Sequence, residues 1–223
     1  TFIAALFKFF LAVVIVSMIS NEYSNRTLKQ NLIDGLSKQE LLTSKLLMVA
    51  FFSILSTIFV GITSAILGAI YSDYTELSIV FSELEYLLLF CLKLFGFFSL
   101  CLFLGMLIKR SAFALGFLII LAIGEQISWG IGGELLAKYG SFATKNEAFD
   151  LATQIKGFFP LQSLFNLIHE PFSRLSAVQS VVKELGENIE LDYKTSIKEV
   201  LIVLGYICLY IWASLALLRR RDL

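Results

Sequence analysis

Long apolar runs alternate along this chain with shorter polar stretches. A helix crossing about 30 Å of hydrocarbon needs about 20 mostly apolar residues, and five runs reach that scale. Residues 2–19 form the first, Phe2 to Ile19, interrupted by Lys8. The second, 46–72, carries no charge between Lys45 and Asp73. The third, 86–108, contains Lys93, and the fourth, 111–129, has Glu125 near its end. The fifth, 200–218, is uncharged between Glu199 and Arg219. Backbone groups in lipid must be satisfied within their own segment, so these runs predict helices and not open strands. Ser37 with Glu40, Ser82 with Glu85 and Ser196 with Glu199 each spell Ser-x-x-Glu just before a run. In that capping box the two side chains satisfy backbone N–H groups that a helix start leaves orphaned.

The polar stretches have patterns of their own. Leu28, Leu32 and Leu36 recur every four residues with Ile33 beside them, which predicts a short amphipathic helix between the first two runs. Gly35 suits the left-handed position that ends a helix, and Ser37 then caps the next one. On pattern alone this helix either lies on the lipid surface or docks to a partner. The segment 130–199 is expected outside the membrane. Within it Ile155 to Phe172 is aromatic, amphipathic and marked by Pro160 and Pro171; too short to span, it predicts a re-entrant or interfacial helix. Beyond it Leu175, Val178, Val182 and Leu185 mark a small exposed helix.

Composition agrees. Of 223 residues 57% are hydrophobic and 16% charged, with mean hydropathy +0.81. Soluble domains are about 45–50% apolar and about 25% charged, so the expected class is an all-α integral membrane protein, a single domain over 1–223. Cys91, Cys101 and Cys208 lie inside apolar runs and read as small hydrophobes. Eighteen basic and eighteen acidic residues cancel, so no global field favours nucleic acid.

Basic residues accumulate in short cytoplasmic loops. Arg26, Lys29, Lys38 and Lys45 follow the first run, Lys109 and Arg110 join the third to the fourth, and Arg219, Arg220 and Arg221 close the chain. The stretch from Asp73 to Glu85 has acids only among its charges. The expectation is a multi-pass protein of the cell (inner or cytoplasmic) membrane with a cytoplasmic carboxyl end. An odd number of spans then puts residue 1 outside, which implies a preceding helix and six spans in the full protein.

Glu22, Thr27, Gly35, Ser37-Lys38 and Ser44-Lys45-Leu46-Leu47 occur in that order, and Leu-Leu-Arg-Arg-Arg-Asp-Leu ends the chain. In this the sequence resembles the permease subunits of type-two ATP-binding-cassette (ABC) transporters, mostly exporters. It departs by Arg26 and Ser44, where glycine is frequent in that family. The resemblance implies that 22–36 is a coupling helix seated in a groove of a separate ATPase subunit. Glu22, Arg26, Thr27, Leu28, Lys29, Leu32, Asp34 and Gly35 would then form the ATPase-coupling site, and for the charged ones a solvated cytosolic face is the plain alternative. It further implies a second permease subunit, as homo- or heterodimer, and ATP with Mg bound by the partner ATPase, with no cofactor in this chain. Short outer helices before the last span would close the path externally.

No G-x-x-x-x-G-K-[S/T] occurs, so no phosphate-cradling loop is available here. The single His169 has no second histidine at metal-ligand spacing, and no Ser-His-Asp or Cys-His arrangement can be assembled. Charges inside spans are costly and point to function. Lys8, Lys93 and Glu125 are the three, and Lys93 with Glu125 either pair in the outer leaflet or snorkel separately. Gly61-x-x-x-Ala65 and Ser64-x-x-x-Gly68 allow close helix approach, for packing within the subunit or for lining a path. The reading is a permease that forms a translocation path. Its rivals are a membrane-embedded enzyme, which would need more paired acids or histidines, and a membrane anchor or sensor that binds a partner.

Overall fold

The computed structural model describes residues 2–25, 27–71, 84–140, 145–168 and 197–220. They form eight helices and no strands: α1 (Phe2–Ser24), α2 (Thr27–Ile33), α3 (Lys38–Tyr71), α4 (Leu84–Ile108), α5 (Ser111–Tyr139), α6 (Lys145–Lys156), α7 (Pro160–Asn166) and α8 (Ile197–Arg220). Four are long and apolar enough to cross a membrane: Lys38–Tyr71, Glu85–Ile108, Ser111–Tyr139 and Ile197–Arg220. The run that begins at Phe2 is helical throughout and continues to Ser24.

Helix α4 is the hub, packing against α1, α3, α5 and α8. Its residues 96–102 are buried on every face, as expected of a helix ringed by other helices. Lipid tails are as apolar as leucine, so close packing rather than water exclusion holds such helices together. Small residues supply it: a Cβ on Gly105 would stand 3.4 Å from Ile19 of α1. Aromatic contacts add to it, with Phe9 edge-on to Phe97 and Phe103 stacked on Tyr210.

Helix α3 divides in two. Leu41, Leu42, Val49, Ser53, Ser56 and Thr57 form its buried stripe. The three hydroxyls donate to carbonyls four residues back at 2.7–2.9 Å, which satisfies them without water. Beyond Thr57 the apolar side chains from Ile58 to Tyr71 are mostly exposed. Of the small-residue pairs, Gly61 lies against Leu87, while among the described residues nothing approaches the Cβ position of Gly68 within 4 Å.

Two boundaries differ from the sequence reading. Helix α5 does not stop at Trp129 but runs to Tyr139, so the segment after 129 begins as a continuation of the helix. Three glycines, Gly130, Gly132 and Gly133, lie in this continuation. Gly133 has a packing role: a Cβ on it would stand 2.5 Å from the Phe149 ring of α6. The single amphipathic helix expected from Ile155 is two helices, bent at 157–159, with Pro160 at the first turn of α7. Proline is at home there because its missing N–H would have had no helical partner. Pro171, His169 and the exposed helix expected beyond Ser173 lie outside the described residues.

The basic segments gather at one end. Lys38 Nζ donates to the Arg219 carbonyl at 3.5 Å, and the Lys109 ammonium lies 5.6 Å from the centre of the Tyr23 ring. Only Lys109 and Arg110 separate α4 from α5. Lys109 adopts φ +61° and Arg110 is extended, which reverses the chain in two residues. Measured from this end at 1.5 Å per residue, Lys8, Lys93 and Glu125 all sit about 21–24 Å up their helices.

Candidate functional site

The first candidate site is the corner joining α1, α2 and α3. Its outline was legible, but its helix is shorter than the 22–36 expected: α1 runs on through Glu22 to Ser24, and the separate helix is Thr27–Ile33. Glu22 and Thr27 meet, because the Thr27 hydroxyl donates to the Glu22 carbonyl at 3.3 Å. The Glu22 carboxylate forms an ion pair with Lys45 of α3, closing the corner from the other side. Arg26 lies outside the described residues.

Within α2 the leucine stripe turns inward. Leu28 is 2% exposed and joins the main core, and Leu32 packs partly buried against it. Neither is presented to a partner. The outward face is Lys29, Gln30 and Ile33, with Asp34, Gly35 and Leu36 following, all exposed. Gly35 takes φ +104°, where a Cβ would strain the backbone. The Leu36 N–H then reaches back to the Asn31 carbonyl at 3.1 Å. Two residues on, the capping box closes reciprocally: Ser37 N–H donates to Glu40 Oε2 at 2.8 Å, and Glu40 N–H to Ser37 Oγ at 3.2 Å. Bonding to the Ser37 backbone, then to its side chain, holds the Glu40 carboxyl below its ordinary range. Ser82 and Ser196, of the other two boxes, lie outside the described residues.

The second candidate site is the level of the three intramembrane charges. The contacts described for Glu125 run to backbone amides of α7. One of its carboxyl oxygens accepts from the Leu161 N–H and the other from the Gln162 N–H, both at 2.9 Å. These are first-turn amides of α7, which the helix itself cannot satisfy. Glu125 is thus buried as the cap of a neighbouring helix. Lys93 instead sits 5.5 Å from the centre of the Phe165 ring, and Lys8 of α1 sits 5.1 Å from the same ring and 5.0 Å from Phe97. Phe165 belongs to α7, so all three charges converge on that one short helix.

Sequence reasoning missed most of what surrounds Glu125. Gln126, Trp129 and Gly133 continue its face of α5 at helical spacing. Lys156 Nζ donates to Gln126 Oε1 at 2.9 Å and lies 5.0 Å over the Trp129 ring. Trp129 Nε1 donates to Thr153 Oγ1 at 3.1 Å, and its ring meets Phe149 edge-on. On the opposite side Leu164 fits against Gly96, where a Cβ would come within 2.8 Å. From α8 the Tyr206 hydroxyl donates to the Phe158 carbonyl. The signal in the sequence was an acid inside an apolar run; its partners, being backbone amides, leave no sequence mark. Among the described residues no group of three His, Cys, Asp or Glu is placed to hold a metal.

The family model for ABC-2 family transporter proteins matches residues 2–223. No curated protein and no solved structure matches the chain.

Proposed function

The chain belongs to the ABC-2 transporter family, a multi-pass permease component of an ABC transporter, and from that premise we propose that α2 and the residues beside it receive the motion of a separate ATPase subunit. The observation that carries this is the corner itself. A seven-residue helix is held to the bundle by Leu28 and closed off by the Glu22–Lys45 pair, and it turns Lys29, Gln30 and Ile33 outward. A helix this short is unstable alone, so its anchorage serves to present that face rigidly. Any push on it passes directly into α1 and α3, which flank it in the chain.

In this reading the basic end is cytoplasmic, as lysine and arginine placement favours, and α1 is a fifth span. Two permease subunits enclose the path, and the ATP and Mg belong to the ATPase chain. The direction is outward, in line with the likeness to exporters. ATP binding biases the permease between conformations only through contacts that differ between them, and the outward face of α2 is where those contacts fall.

The test is co-purification from membranes in mild detergent. The wild-type chain is expected to retain a stoichiometric ATPase. Ile33→Asp combined with Lys29→Glu is expected to lose it while the permease elutes as a folded, monodisperse species. Retention of the ATPase by that double variant overturns the assignment of α2.

A further inference from the structure

Where α5 leaves the basic end, its exposed side carries a shallow groove of about 550 Å³. Phe113, Gly116, Phe117 and Ile120 line it at helical spacing, with Ile108 of α4 beside them and Arg110 at its mouth. Among the described residues nothing stands within 4 Å of a Cβ placed on Gly116, so bare backbone forms part of the floor. The ten residues from Arg110 to Ile120 rise about 15 Å, half of about 30 Å of hydrocarbon, and the groove is therefore one leaflet deep. The two cations of the turn go different ways. Lys109 lies over the Tyr23 ring of α1, whereas Arg110 is exposed and is the charged residue that lines the groove. Among the described residues the Arg110 side chain has no ion pair.

We infer that this groove seats one acyl chain of an anionic phospholipid from the leaflet at the basic end, with the Arg110 guanidinium holding its phosphate. Guanidinium and phosphate match in charge and in bidentate geometry. The apolar lining begins directly beneath that contact, as an amphiphile requires. The volume falls within the range of small-molecule sites. A second copy of the chain fits this face less well. Parallel copies related by a twofold axis along the membrane normal would set two Arg110 side chains at one depth across the contact, where like charges repel. The site requires that the chain cross a membrane and does not rest on the transport reading.

Tryptophan quenching by brominated lipids, on the full chain in phosphatidylcholine vesicles, tests the site. Phe117→Trp places a reporter in the groove, read as the difference from the unaltered chain, and Ile120→Trp stands in should that variant fail to fold. The unaltered chain is the reference for ordinary boundary lipid, because its Trp212 is 70% exposed and, like Phe117, about 10–12 Å from the basic end. Dibrominated phosphatidylglycerol is expected to quench the groove reporter at about one-fifth of the mole fraction that dibrominated phosphatidylcholine needs, the worth of one basic residue near a membrane surface. The reference should show a ratio near one. In the reporter background Arg110→Gln is expected to abolish the preference, with Arg110→Ala in its place should the glutamine variant fail to fold. Arg220→Gln, a charge at the same end outside the groove, leaves the preference intact. Gly116→Leu fills the floor and is expected to weaken quenching by both lipids. Equal quenching by the two lipids marks ordinary boundary lipid and overturns the site. Quenching by neither marks a face covered by a second copy and overturns it as well. A preference that survives loss of the Arg110 charge, or quenching undiminished in Gly116→Leu, overturns the assignment of phosphate or chain respectively.

Discussion

Helices α2 and α7 have seven residues each, neither able to stand alone in water. They lie toward opposite ends of the bundle, and a glutamate of a longer helix helps hold each. The resemblance ends there. In α2 only Leu28 is buried, and Glu22 steadies the corner through Lys45. In α7 Leu161, Ser163 and Leu164 are all buried, and Glu125 takes the helix by its own amides. One helix is anchored through Leu28, with Leu32 partly buried beside it, and keeps an exposed outward face. The other is used up by its own chain. Anchorage chemistry, not length or position, separates the helix that keeps an exposed face from the one that is a fitted part.

Removing the anchors breaks this contrast, and the largest effect is expected at Glu125. Glu125→Ala strands two buried amides, each worth about 1–3 kcal/mol when unsatisfied, so a loss of about 4 kcal/mol is expected in detergent melts. A wild-type melt in that variant would remove the claim that α7 is fixed by its cap. Leu28→Ala comes next, at about 3 kcal/mol for a buried leucine. Ile33, 74% exposed on the same short helix, should change stability by no more than about 0.5 kcal/mol as alanine. Comparing the two melts separates the inward stripe from the outward face. Gly133→Ala presses a methyl group against the Phe149 ring and should cost about 1–2 kcal/mol by overpacking, with hydrogen exchange rising in α6 but not in α2.

The smallest effect concerns pH at the start of α3. The folded-state pKa of Glu40 lies below its ordinary value because Ser37 bonds the charged form. Its stabilising contribution is therefore complete above the ordinary carboxyl range and is lost as pH falls through the lowered value. Amide exchange in the first turn of α3 should quicken over that acid window, and Ser37→Ala should flatten the dependence.

Much of this fold follows from runs and caps visible in the sequence. The long apolar stretches became helices, Gly35 took the left-handed turn, and Ser37 with Glu40 closed the box. What escaped was the identity of neighbours. The Leu28–Leu32 stripe announces an apolar face, but periodicity cannot tell whether the chain's own core or a partner covers it. Lys93 and Glu125 lie at one depth, where pairing and separate snorkelling were both open. Two backbone amides without a helical acceptor hold Glu125, and amides are identical in every sequence. The extent of α5 escaped because the apolar run thins after Trp129, while the helix continues to Tyr139 with Phe149 packed over Gly133.

The two-residue reversal at Lys109 and Arg110 has a mechanical consequence. A joint that short pins the near ends of α4 and α5 together, so α5 has little freedom to slip lengthwise but can tilt like an arm on a pivot. Glu125 sits about 21 Å along that arm, and a tilt of about 10° carries it about 4 Å sideways, with the hairpin hung from it. The Lys109 ammonium rests on Tyr23, a few residues before α2. The pivot therefore sits beside the α1–α2–α3 corner, and the hairpin lies at the far end, where a small angle becomes a wide displacement.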